Sequence, residues 1–162
     1  MAVNDTIMNT DDIMHGAGGS ALLTVGENRY NLFNIIKFEG KVNINKREKG
    51  LLGTPKKANY ISGWKGIFTA TIEFNTSTFQ RMVQVYKDEG AFPPFEIQTT
   101  NKNFSGVTGE QRVVYKGCSL DEIPLSLFDT EADGGLQMNI SGTFEDFEIP
   151  QGFTEMPGYR LS

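Results

Sequence analysis

Several places in this chain carry residue types that do chemistry, and each lacks the surroundings that chemistry needs. Gly16-Ala17-Gly18-Gly19-Ser20-Ala21 fits the loosened dinucleotide fingerprint G-x-G-x-x-A. That fingerprint works only between a buried strand and a helix N-terminus, where bare backbone meets a pyrophosphate. Here an acidic, polar stretch precedes it and a strand pattern follows, so the run reads as the junction of a flexible arm. Asp129-Thr130-Glu131-Ala132-Asp133-Gly134 opens like a calcium loop, but its twelfth position is Ile140, where a bidentate glutamate is required. A solvated hairpin loop is the better reading. Glu145, Asp146 and Glu148 offer paired carboxylates for proton transfer, yet nothing in the sequence places a nucleophile or an oxyanion donor beside them. They read as a charged strand end. The single cysteine, Cys118, and the single histidine, His15, supply neither a disulfide framework nor a zinc site, and read as a packing residue and an arm residue. No cofactor, no metal and no enzymatic activity are expected.

Charge narrows the class further. With a formal charge of −5 and a pI near 4.9, the chain gains nothing from counterion release at phosphates. Simple nucleic-acid binding is therefore not expected, although nucleic acid sliding past without sticking stays open. The start, Met-Ala-Val-Asn-Asp, has no basic and apolar leader pattern, and nothing approaches 18 consecutive apolar residues, so neither secretion nor a membrane anchor is expected.

The elements that must position any site are mostly strands. Eighteen glycines and twelve phenylalanines suit short strands and turns. Residues 1–20 read as a polar arm that either stays disordered or is ordered by a partner. A hairpin follows, from Ala21–Val25 through Gly26-Glu27-Asn28 and back along Tyr30 to Phe33. Ile36, Phe38, Gly40, Val42 and Ile44 then alternate with Lys37, Glu39, Lys41, Asn43 and Asn45, the mark of a half-buried strand. Residues 46–62 read as a long, basic loop with exposed apolar residues. A second alternation runs from Trp64 to Phe74 and a third from Leu136 to Glu145. Between them Phe79, Met82, Val83 and Tyr86 fall at helical spacing, predicting one helix over 76–89 capped by Asn75 or Thr76 and stopped at Gly90. Strands are expected at Phe95–Thr100, Gln111–Gly117 and, more briefly, Ile123–Phe128, with an irregular tail after Ile149. The sum is a mainly β architecture, an antiparallel β-sandwich or barrel with one packed helix. It comprises an arm (1–20), a β domain (21–150) and a C-terminal tail (151–162).

Residues 63–90, from Gly-Trp-Lys-Gly-Ile-Phe-Thr-Ala-Thr-Ile-Glu-Phe to Tyr-Lys-Asp-Glu-Gly, resemble the central strand and helix of XkdM-like tail tube proteins of PBSX-type phage elements. Lys37 to Val42, Pro94 to Gln98, Gly109 to Tyr115, and Gly142 to Pro150 match in order and spacing, so the resemblance spans roughly residues 20–150. The chain departs from the pattern in two places: 46–62 lacks an arginine-rich run, and the N-terminal arm is longer. The resemblance implies a ring-forming tail-tube fold whose hexamers stack into a hollow tube, enclosed by a sheath protein in contractile tails. Baseplate or initiator, terminator and tape-measure proteins would be its partners, with DNA passing transiently through the lumen. The setting implied is a virion tail, assembled in the bacterial host cytoplasm.

Placed on that frame, Gln137, Asn139, Ser141 and Thr143, with Thr69 and Thr71, are expected to face the channel, because an uncharged or acidic wall does not hold phosphate. Leu51, Leu52, Lys56, Lys57, Tyr60 and Ile61, with Ile7 and Ile13 of the arm, are expected at subunit interfaces, since apolar side chains on a loop are wasteful when exposed. Two other readings stay open: the tube of a contractile bacteriocin or other DNA-free injection system, and a monomeric β-barrel that binds a small ligand.

Overall fold

The computed structural model of the chain describes residues 10–104, 106–156 and 158–161. Two short 3₁₀ turns, Thr10–Asp12 and Gly16–Gly18, lead into strands β1 (Gly19–Val25), β2 (Asn28–Asn31), β3 (Ile35–Gly50) and β4 (Lys57–Glu73). Helix α1 (Thr78–Glu89) follows, then β5 (Phe95–Lys102), β6 (Glu110–Glu122), β7 (Gln137–Phe144) and β8 (Asp146–Gln151). The architecture is mainly β, antiparallel and single-helixed, as the alternation predicts. The chain divides into two compact units. One takes the described residues up to Phe33, Phe95–Lys116, and those from Phe147 on; the other takes Asn34–Pro94 and Gly117–Asp146.

In the first unit β1 pairs antiparallel with β2 and with β5, while the early part of β6 neighbours β5 and takes β8 as a further partner. Ala21, Leu23, Leu32, Phe95, Ile97 and Tyr115 form its buried core. The β1–β2 turn puts Gly26 at φ +60, a conformation that suits a residue without Cβ in a two-residue hairpin turn. The arm differs from expectation. Residues 10–18 are tied to this unit by Asn103, a buried side chain whose Nδ2 donates to the Asp11 carbonyl at 2.8 Å and to Thr108 Oγ1 at 2.9 Å. Its Oδ1 accepts from the Gly106 amide at 3.1 Å. Gly18 serves this docking, since a Cβ there would overlap the Lys102 carbonyl oxygen. The tail also differs, since β8 continues to Gln151 and the Thr154 amide then donates to the Thr108 carbonyl at 2.8 Å. Pro150 obscured this strand, because proline cannot donate to a ladder and signals an interruption.

In the second unit the strand order is the later part of β6, then β7, β4 and β3. The buried face carries Phe68, Ala70, Ile72, Met138, Ile140 and Phe144, covered in part by Phe79 and Met82 of α1. Register pairs Gly66 with Phe144 and Phe68 with Gly142, so each ring finds a neighbour without a side chain. A Cβ on Gly142 would come within 2.7 Å of the Phe68 ring, and one on Gly66 would overlap the Phe144 ring. Phe38 stacks on Phe68 with centroids 6.1 Å apart. Gln80 Nε2 of α1 donates to the Pro124 carbonyl at 3.3 Å and to Met138 Sδ at 3.4 Å. The helix begins at Thr78 with Ser77 as its cap, two residues later than predicted, and ends at Gly90 in the left-handed conformation with its amide on the Tyr86 carbonyl. Ile123–Phe128 forms no strand; it is irregular around Pro124.

The largest correction concerns 46–62. It is the far half of one long hairpin: β3 and β4 stay paired from Ile35↔Ile72 out to Gly50↔Lys57, leaving only 51–56 as a turn. Bulges place Ile36 and Ser62 outside the regular pairing, and Ser62 Oγ donates to the Asn45 carbonyl at 3.2 Å. Beyond Val42 on β3 every residue is exposed, so no dry face exists there to write a period of two into the sequence. The apolar face expected of β3 is covered only near Phe38 and Gly40. Ile36, Val42, Ile44 and Trp64 are exposed.

Candidate functional site

The six residues expected on a channel wall do share one face of the second unit. Register pairs Thr71 with Asn139, Thr69 with Ser141 and Ile67 with Thr143, while Gln137 faces Glu73. Along β7 the alternation is strict: Gln137 and Asn139 are exposed and Ser141 and Thr143 half-buried, with buried residues between them. That follows from the pleat, which turns successive side chains to opposite sides of the sheet. Thr71 Oγ1 donates to Asn139 Oδ1 at 2.8 Å, and the hydroxyls of Ser119 and Thr143 lie 3.1 Å apart. Two pairs of these polar groups thus bind each other across strands.

The face is wider than the sequence suggests. β3 adds Lys37 opposite Thr71, Glu39 opposite Thr69, Lys41 opposite Ile67 and Asn43 opposite Lys65; β6 adds Ser119 opposite Thr143 and Glu122 opposite Ser141. Lys37, Thr69, Thr71, Glu122, Asn139 and Ser141 line a shallow depression of about 380 Å³. β7 itself carries no cation here. The whole face does, with Lys37, Lys41 and Lys65 set among Glu39, Glu73 and Glu122. The expectation that this face carries no cation is corrected: its charges are interspersed, three of each sign. Sequence reasoning missed these residues because inter-strand register decides which faces join, and no local pattern encodes it.

The interface candidates Leu51, Leu52, Lys56, Lys57, Tyr60 and Ile61 all sit on the projecting hairpin, and all are exposed. Ile13 is exposed in the first unit, its amide donating to the Thr10 carbonyl at 3.2 Å; Ile7 lies outside the described residues. The calcium-like loop is a local turn, in which the Glu131 amide donates to Asp129 Oδ1 at 3.0 Å. Cys118 is buried within β6. Among the described residues no group of three or more His, Cys, Asp or Glu side chains is placed to hold a metal, and no helix is long and apolar enough to cross a membrane.

The second unit thus combines a polar sheet face, an end strand that no other described strand covers, and a hairpin that displays apolar side chains. The family model described as phage tail tube protein matches residues 6–151, and the chain belongs to that family. It is 28% identical over 122 residues to the phage-like element PBSX protein XkdM of Bacillus subtilis strain 168, covering 75% of this chain and 82% of the relative. It is 29% identical over 118 residues to the uncharacterized protein YqbM of the same strain, covering 73% and 80%. Among solved structures it is similar to a chain of the anti-feeding prophage tube-terminating cap, with a TM-score of 0.67 at 12% identity over 94% of this chain and 99% of that one. It is also similar to a chain of the sheath-tube complex of the PVC extracellular contractile injection system in its extended state. There the TM-score is 0.62 at 10% identity, over 82% and 88%. The chain is a structural tail component with a tail-tube fold, and family membership sets aside the ligand-binding module.

Proposed function

We propose that this chain is the repeating subunit of the inner tube of a contractile tail, closing into six-membered rings that stack into a hollow conduit. The four-strand polar face of β6, β7, β4 and β3 supports this most directly, because its opposite side is buried along β4 and β7 and its last strand, β3, has an edge 16 residues long that no other described strand covers. An open edge of that length is an aggregation hazard unless a neighbouring copy continues the ladder, and ring closure removes it. In this reading Gln137, Asn139, Ser141, Thr143, Thr69 and Thr71 line the bore, with Lys37, Glu39, Lys41, Glu73 and Glu122 around them. Hydroxyls, amides and alternating charges give phosphate no continuous positive track, so DNA travels along the wall without being held.

The hairpin of β3 and β4 contacts neighbouring copies. A sheath encloses the tube and drives it forward on contraction; baseplate and terminator proteins bound its ends, and a tape-measure protein occupies the bore before DNA does. Assembly takes place in the host cytoplasm. The phage family match favours DNA as cargo over that of other injection systems. Electron microscopy of the purified protein tests the reading: hollow, six-fold tubes support it, whereas a protein that remains an 18.0 kDa monomer at every concentration sinks it.

A further inference from the structure

The segment that joins β6 to β7 in the second unit holds the only place in the sequence where an aspartate or asparagine is followed by glycine, Asp133-Gly134. Both residues lie in an exposed turn, with Gly135 after them in the left-handed region at φ +85. Gly134 itself keeps an ordinary backbone conformation, and nothing stands within 4 Å of where a Cβ would project. The turn is pinned on both sides. Upstream the Glu131 amide donates to Asp129 Oδ1 at 3.0 Å, and downstream the Phe74 amide donates to the Leu136 carbonyl at 2.9 Å. Between those points no hydrogen bond or ion pair among the described residues engages Asp133 or Gly134.

We propose that Asp133-Gly134 is a site of spontaneous covalent modification, at which the aspartate rearranges to isoaspartate through a cyclic succinimide. The Gly134 amide nitrogen attacks Cγ of Asp133 in its acid form; a nitrogen–carbon bond forms, and the carboxyl hydroxyl leaves with the amide proton as water. Water then adds at the main-chain carbonyl carbon of Asp133 and breaks its bond to that nitrogen. The chain afterwards runs through the former side-chain carbonyl, and the main-chain carbonyl carbon has become the free carboxylate. Nothing beyond water takes part, and composition and charge end unchanged. Three features of the site favour the reaction. A following residue without a side chain leaves the nitrogen open to attack, the exposed turn lets both residues rotate into the ring, and no existing bond has to be given up. Every other aspartate precedes a residue that carries a Cβ, and Asp129 is held by the Glu131 amide as well. The product inserts one methylene into the main chain shortly before β7 begins at Gln137.

The test keeps the folded, full-length protein warm at mildly acidic pH for weeks, then digests it and separates the peptides by chromatography with mass detection. The peptide that spans Asp133 is expected to give a species lighter by one water. A second species then follows, with the parent mass, a different elution and the fragment ions of isoaspartate. Asp133→Glu loses both, because its longer side chain would have to close a larger ring. Gly134→Ala places its methyl in open space, folds as the wild type does, and converts several-fold more slowly. A synthetic peptide of the same sequence supplies the unconstrained rate. A folded chain that stays unconverted while the peptide reacts overturns the site, because the turn then withholds the reacting geometry. Conversion at Asp121 or Asp129 as fast as at Asp133 overturns it too, as does an undiminished rate in Gly134→Ala.

Discussion

Phe68 and Phe144 each lie over a glycine of the adjoining strand, and this fixes how β4 and β7 meet. With register Gly66↔Phe144 and Phe68↔Gly142, a slip in either direction would set a ring against a side chain. Gly66→Ala is therefore expected to cost about 1–3 kcal/mol through overpacking against the Phe144 ring, and much less when Phe144 is already leucine. Chemical denaturation of the two single variants and the double variant checks this; additive costs would disprove the pairing. Asn103 is a second decisive residue, because one side chain serves the Asp11 carbonyl, Thr108 Oγ1 and the Gly106 amide. Asn103→Ala leaves those groups short of partners at a cost of about 1–3 kcal/mol. It should also speed hydrogen exchange in residues 10–18 while leaving β4 and β7 protected.

At the scale of elements, the hairpin of β3 and β4 is the feature least like its expectation. Deleting residues 48–60 removes no buried apolar side chain, so it is expected to cost less than about 1 kcal/mol of stability. The product should be folded and monomeric, with circular dichroism close to wild type and no tubes by electron microscopy. Normal tubes would remove the hairpin from the contacts. Legibility at this scale followed burial. The covered parts of β4 and β7 alternate cleanly, and Phe79, Met82 and Gly90 marked α1, because in each case one face is dry. The outer hairpin has two wet faces and is held by its ladder alone, so Lys46-Arg47-Glu48-Lys49 reads as loop. The polar-face residues on β7 were legible for the same reason of alternation. Lys37, Lys41 and Glu122 were not, since they join that face only through pairing between strands distant in sequence.

The whole molecule combines a net charge of −5 with a polar face of balanced charge. If that face lines the bore, Asn139→Lys with Ser141→Lys places two more cations in every subunit of every ring. DNA ejection should then slow, most at low salt, while tubes still form; ejection at the wild-type rate would remove these residues from the wall. Lys37 and Lys41 already pair with Thr71 and Ile67, so in that reading the wild-type bore would carry isolated cations with acids between them. In the proposed tube, the edge of β3 that no other described strand covers has one more effect, on how growth begins. Two loose copies share a single seam and pay the full loss of motional freedom for it, so a first ring is slow to appear. A copy arriving at a finished ring meets all its complementary surfaces together. Final length is then governed most easily by granting or withholding a starting template, with the strength of each added copy left unchanged.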